Sequence, residues 1–226
     1  MRRACRLLCV AALLACLGTA RPAFSAPSSK VDIGGNGAPT LTGNVGGSVT
    51  GSPGLLADLL VTINFGEISA LNQSGIIKAV VPIAIRSTGE YQLNVSLEGT
   101  SLNVADSEAL QLTDIGFGIQ NFGPSGANAN ICSNNIINAP FFNDPSLTVN
   151  VSNRASYPSS LANIAGTTMV MFGPKLSRGP VNPRTLANGW AFEAIFTIVP
   201  QFFSPGTSSV TVRFTVSDYP TVIKCI

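Results

Sequence analysis

Between Ile76 and Leu97 the chain reads IIKAVVPIAIRSTGEYQLNVSL, and its second half alternates without a break. Tyr91, Leu93, Val95 and Leu97 leave one face, and Gln92, Asn94, Ser96 and Glu98 leave the other. Successive side chains of a strand point to opposite faces, so this pattern demands a sheet with one dry side and one wet side. Ala79 to Arg86 is apolar on both faces, which suits a central strand. Ser87-Thr88-Gly89 separates the two runs, and the expectation is a hairpin in which Gly89 takes a positive φ.

The same period recurs along the chain. Leu59 to Phe65 is a strand, and Leu110 to Ile119 another, with Ile115, Phe117 and Ile119 set against Gly116 and Gly118. Leu147 to Val151 and Thr167 to Phe172 read as shorter strands. Trp190 to Val199 places Trp190, Phe192, Ala194, Phe196 and Ile198 on one face. In Ser209 to Ser217, Val210, Val212, Phe214 and Val216 face in. About eight strands separated by Gly, Pro and Asn clusters predict an all-β fold. The expected architecture is an antiparallel two-sheet β-sandwich, immunoglobulin-like or fimbrial-like. With 45% hydrophobic and 11% charged residues, residues 55–226 can form a single domain around one core.

What precedes residue 55 reads differently. Arg2, Arg3 and Arg6 form a basic start, Leu7 to Leu17 is a short apolar run, and Ala23-Phe24-Ser25 is a cleavage tripeptide. The apolar run falls short of the ~20 residues that span a bilayer, so residues 1–25 are expected to be a secretory signal of bacterial type. Leu13-Leu14-Ala15-Cys16 allows a second reading, a lipoprotein signal with a lipid anchor at Cys16, although Leu14 is large for that motif. Residues 34–54 hold eight glycines in 21 positions, and 26–54 is expected to be a flexible leader. Leu41, Val45 and Val49 are its only means of docking on a sheet edge.

Four of the thirteen basic residues and none of the eleven acidic ones precede Ala26, leaving nine basic residues against eleven acidic. So balanced a charge offers no electrostatic footprint for nucleic acid. The expected location is beyond the inner membrane: periplasm, outer-membrane surface or medium. No later apolar run is long enough for a membrane helix.

The absence of histidine excludes Ser-His-Asp and Cys-His machinery and His-ligated metals. Asp106, Glu108 and Asp114 are the nearest carboxylate cluster, and spacing of this kind reads as loop acids rather than a glycosidase pair. No enzyme activity, cofactor or metal is expected. After signal removal Cys132 and Cys225 remain, a pair suited to a disulfide in an exported chain. Closing a loop of about 94 residues would contribute at most about 4–5 kcal/mol. Two free thiols, or an intermolecular bond through Cys225, are the alternatives.

Two segments are too long to be turns. Residues 120–146 hold seven asparagines, Asn134 and Asn135 among them, around Phe141-Phe142. Residues 174–189 carry Lys175, Arg178 and Arg184 with no acid. These seven side chains are the candidate binding residues. Asn amides beside Phe141, Phe142 and Tyr157 suit a glycan, while burial of the Phe pair at the open end of the sandwich is the alternative.

The order Ile63-Asn64-Phe65-Gly66-Glu67-Ile68, Val81 to Arg86, Tyr91-Gln92-Leu93-Asn94-Val95, closing on Val210, Val212, Phe214 and Val216, resembles that of secreted bacterial β-sandwich proteins related to fimbrial subunits and spore-coat-U-type domains. The resemblance spans about half the chain, from Leu59 to Leu97 and from Trp190 to Asp218. It implies a non-enzymatic structural or adhesive surface subunit that self-assembles, or joins another surface protein, by strand exchange. The late cysteines and the continuation past Tyr219 depart from that pattern.

Intact-mass measurement of the exported chain is expected to place its N-terminus at Ala26. An acylated Cys16 would select the lipoprotein reading.

Overall fold

A computed structural model describes residues 31–43, 46–51, 57–68, 75–102, 106, 108–124, 136–150, 157–176, 189–201, 203–204 and 206–224. The expected signal, residues 1–25, lies outside them. The strands are β1 (Val31–Gly35), β2 (Thr40–Thr42), β3 (Ser48–Gly51), β4 (Asp58–Glu67), β5 (Ile77–Ser87), β6 (Tyr91–Thr100), β7 (Gly116–Pro124), β8 (Ile136–Ile137), β9 (Thr168–Gly173), β10 (Gly189–Ile198) and β11 (Thr207–Asp218). They build an all-β sandwich of two antiparallel sheets. The front sheet runs β1-β5-β10-β7, with β2 also on β5, and the back sheet runs β3-β4-β11-β6-β9-β8. Among the described residues no helix is long and apolar enough to cross a membrane.

The inward faces follow the alternation. Ile77, Ala79, Val81, Ile83 and Ile85 of β5 meet Leu59, Val61, Ile63 and Phe65 of β4 and Val210, Val212, Phe214 and Val216 of β11 in one buried cluster. Trp190, Phe192, Ala194, Phe196 and Ile198 of β10 join it, as the period of that strand predicts.

Three expectations need correction. The run Ile76–Leu97 is not a hairpin: β5 pairs with β1, β2 and β10 in the front sheet, and β6 pairs with β11 and β9 in the back sheet. Residues 88–90 carry the chain across the ~10 Å between layers. Ser87 is buried at the crossing, where its hydroxyl donates to the Gly89 carbonyl (2.7 Å) and accepts from the Leu176 N–H (3.3 Å). Gly89 does not take a positive φ. Alternation assigns a residue to a face, and two strands packed face to face alternate just as two strands of one hairpin do.

The described part of residues 26–54 is not a loose leader but three paired strands, so the domain begins well before residue 55. β1 and β2 line the same edge of β5, and β3 pairs with β4. Val31 and Ile33 are fully buried, and Leu41 and Val49 pack against the core. Asp32 stands opposite Arg86 and forms a buried ion pair with it (3.5 Å). The edge breaks between Gly35 and Thr40, opposite Pro82. Proline has no N–H to offer there, while its carbonyl still accepts from Asn36 N (2.9 Å). Gly43, at φ 85°, helps turn the chain from one sheet to the other, and a Cβ there would lie 2.6 Å from the Ile76 carbonyl oxygen. Glycine content thus marks tight crossings here rather than slack chain.

The expected strand at Leu147 to Val151 is absent from its described residues. Pro145–Leu147 forms a 3-10 turn capped by the Asp144 carboxylate, and Leu147 projects into solvent. With these changes the expected eight strands become eleven among the described residues.

Ile33→Ala is expected to lower unfolding free energy by about 2–5 kcal/mol in urea titration, the cost of a core cavity. A spacer position would move it by no more than about 0.5 kcal/mol.

Candidate functional site

The strap formed by the described residues 138–150 and 157–164 is what departs most from its sequence expectation. It lies along β7, the free edge of the front sheet, and over the outer face of that sheet. Ile119 N–H donates to the Phe141 carbonyl (2.8 Å) and the Ile119 carbonyl accepts from Asn143 N–H (3.1 Å). Farther along, Phe117 N–H donates to Ser159 O (3.3 Å) and Leu161 N–H to Ile115 O (2.9 Å). The outward backbone groups of Phe117 and Ile119 on the β7 edge are thereby satisfied without another strand.

Two glycines show how closely this strap lies. A Cβ on Gly116 would sit 2.6 Å from Thr197 Oγ1 and 2.5 Å from Tyr157 Cδ1. A Cβ on Gly118 would fall well within contact of the Asn143 carbonyl oxygen. The alternation Gly116-Phe117-Gly118-Ile119 therefore encodes a bare outer face for the strap and a greasy inner face for the core. Burial pushes the Tyr157 hydroxyl up to about 12.

A charged latch fastens the middle of the strap. Asp144 is buried, and its carboxylate pairs with the ammonium of Lys78 on the outer face of β5. Burial alone would raise this carboxyl. Hydrogen bonds from Lys78 and from the hydroxyl and backbone N–H of Ser146 outweigh it and hold Asp144 below the usual carboxylate range.

Of the candidate binding residues, Phe141 is corrected outright. It is 3% exposed and packs on Phe117 with ring centroids 5.6 Å apart, so it is a core residue unavailable to a ligand. Its neighbour Phe142 is 52% exposed. Adjacent residues in extended chain leave opposite sides, and the paired backbone at Ile119 holds Phe141 inward. Lys175 is half-buried between the buried Pro174 and Leu176, near Ser87, and β10 separates it from the Phe142 edge. The structure does not bring these two together. Asn134, Asn135, Arg178, Arg184, Cys132 and Cys225 lie outside the described residues.

The carboxylates do not converge. Asp106 accepts from Glu108 N–H (2.9 Å), and the Ser204 hydroxyl followed by that same N–H holds it below the usual range. Asp114 is buried and accepts from Gln111 N–H (2.9 Å). Each fastens its own turn. Among the described residues no three His, Cys, Asp or Glu side chains are grouped as a metal site would need.

Among the described residues, two clefts are large enough to hold a ligand group. One, of about 250 Å³, opens at the break between β1 and β2, over Leu59, Val81 and Pro82. The other, of about 180 Å³, lies on the strap between Pro140, Phe142, Asn143, Pro145, Thr148 and Pro158. Asn143 sits at φ 80°, the only described non-glycine residue at positive φ. Of the side chains around this cleft the sequence singles out only Phe142: Pro and Asn signal turns, and nothing in their order says which turns meet.

Asp144→Asn is expected to cost about 1–2 kcal/mol at neutral pH, since Lys78 keeps partial access to water. Because folded Asp144 titrates below its unfolded value, its stabilisation is complete above about pH 4 and fades as pH falls through the folded value. Urea titrations across pH 2–7 should therefore show parent and variant converging in acid. No protein-family model, curated protein or solved structure matches this chain.

Proposed function

We propose that the chain is an exported, non-enzymatic structural protein of a bacterial envelope that assembles through the edges of its sheets. One observation carries this reading. The N-terminal segment supplies the edge strands of both sheets, β1 and β2 on β5 and β3 on β4. Short strands joined by glycine-rich turns are segments that a neighbouring copy can supply in place of the chain's own, because the same main-chain hydrogen bonds and the same Val31 and Ile33 pockets are filled either way.

The exposed face of the back sheet is consistent with such a role. Thr62 and Thr211 share a hydrogen bond (2.9 Å), Gln92 donates to Ser217 (3.0 Å), and Arg213 is bound by both Asp58 (3.0 Å) and Glu98 (2.7 Å). These cross-strand pairs occupy the polar groups of that face within one chain and leave pairing with a second copy to the sheet edges.

Analytical ultracentrifugation and negative-stain microscopy of the exported chain are expected to show concentration-dependent oligomers or polymers, lost when residues 31–42 are deleted. A chain that stays monomeric at every concentration, in cells whose surface attachment survives its deletion, would sink the reading.

A further inference from the structure

The strap leaves two apolar side chains in solvent five positions apart: Phe142 at 52% and Leu147 at 79% exposure. Single exposed apolar residues are ordinary on a protein surface, but Phe142 also lines a concave cleft, where an apolar wall is what a ligand contacts. Its support is rigid, because backbone hydrogen bonds on both sides of Phe142 tie it to Ile119 and the Asp144–Lys78 pair anchors the next turn. Phe142 forms one wall of the 180 Å³ cleft.

We infer that this cleft is a subsite for one ring of an uncharged polysaccharide. Its size is the first argument: about 180 Å³ is the space of roughly six waters, the bulk of one pyranose ring. Its chemistry is the second. No charged side chain lines it, which disfavours anionic and cationic ligands alike. The ring of Phe142 and the rims of Pro140, Pro145 and Pro158 offer apolar surface for the C–H face of a sugar. Asn143 adds an exposed side-chain amide, a donor and acceptor together, and Thr148 a hydroxyl that donates to Pro145 O (3.3 Å) and keeps its acceptor sites. The third argument is the backbone. Asn adopts the left-handed conformation of Asn143 more readily than other residues with a Cβ, and the Ile119 hydrogen bond on its N–H and the Asp144 turn that follows fix its side chain at the cleft.

This goes beyond edge assembly and is separable from it. Phe142 lies at the β7 edge, while β1 and β2 lie at the opposite edge of the front sheet. The test uses the full exported chain on an array of neutral glucans, galactans, mannans and N-acetylhexosamine polymers, with titration calorimetry on any hit. At least one class is expected to bind. Phe142→Ala should weaken it about tenfold with an unchanged melting temperature. Asn143→Gly, which keeps the backbone conformation and removes the amide, should weaken it similarly. Oligomerisation should be unaffected in both variants. No binding above background across the array overturns the inference. So does binding within twofold of the parent in both variants, or capture of apolar peptides with no glycan bound.

Discussion

Phe117 is where the layers meet. Its ring lies 5.2 Å from Phe196 in its own sheet, 6.3 Å from Phe214 across the sandwich and 5.6 Å from Phe141 of the strap. Tilted aromatic contacts at such distances add about 0.5–1.5 kcal/mol each beyond the area they bury. One residue of an edge strand thus couples front sheet, back sheet and strap. Without that packing β7 would be a loose edge, and neither the covered outer face nor the cleft upon it would have a fixed position.

The two outer faces have opposite fates for a physical reason. On the back sheet much of the outward face is polar and internally bonded: Thr62 to Thr211, Gln92 to Ser217, and Arg213 to Asp58 and Glu98. On the front sheet Ile195 and Thr197 point outward and yet are buried. Such a face needs a cover, and the strap supplies it, with glycines beneath it where space is shortest. Burying Asp144 there would be unfavourable alone, and the Lys78 ammonium offsets it. The strap is a third layer, built from the stretch whose Pro and Asn content reads as loop.

The candidate site shows where reading residues in order reaches its limit. Phe141 and Phe142 are chemically identical neighbours, and only the hydrogen bonds of Ile119 decide which enters the core. Asp106, Glu108 and Asp114 are close in sequence and turn to separate local duties. Pro140 and Pro158 meet across one cleft although 18 residues divide them. Glycine was equally ambiguous: in residues 34–54 it permits close crossings between paired strands, where composition alone suggests slack.

The sequence by itself determined the class of the fold and the inward face of nearly every long strand. Those follow from the stereochemistry of neighbouring residues, which alternate whatever lies beyond them. Only the tertiary structure decided that β5 and β6 belong to different sheets, that the described residues of 31–51 close two edges, and that Phe141 to Asn143 and Ser159 to Leu161 lie along β7. Strand partners are chosen by hydrogen bonds and packing between residues far apart in the chain. An alternating run carries no local mark of which partner it will meet.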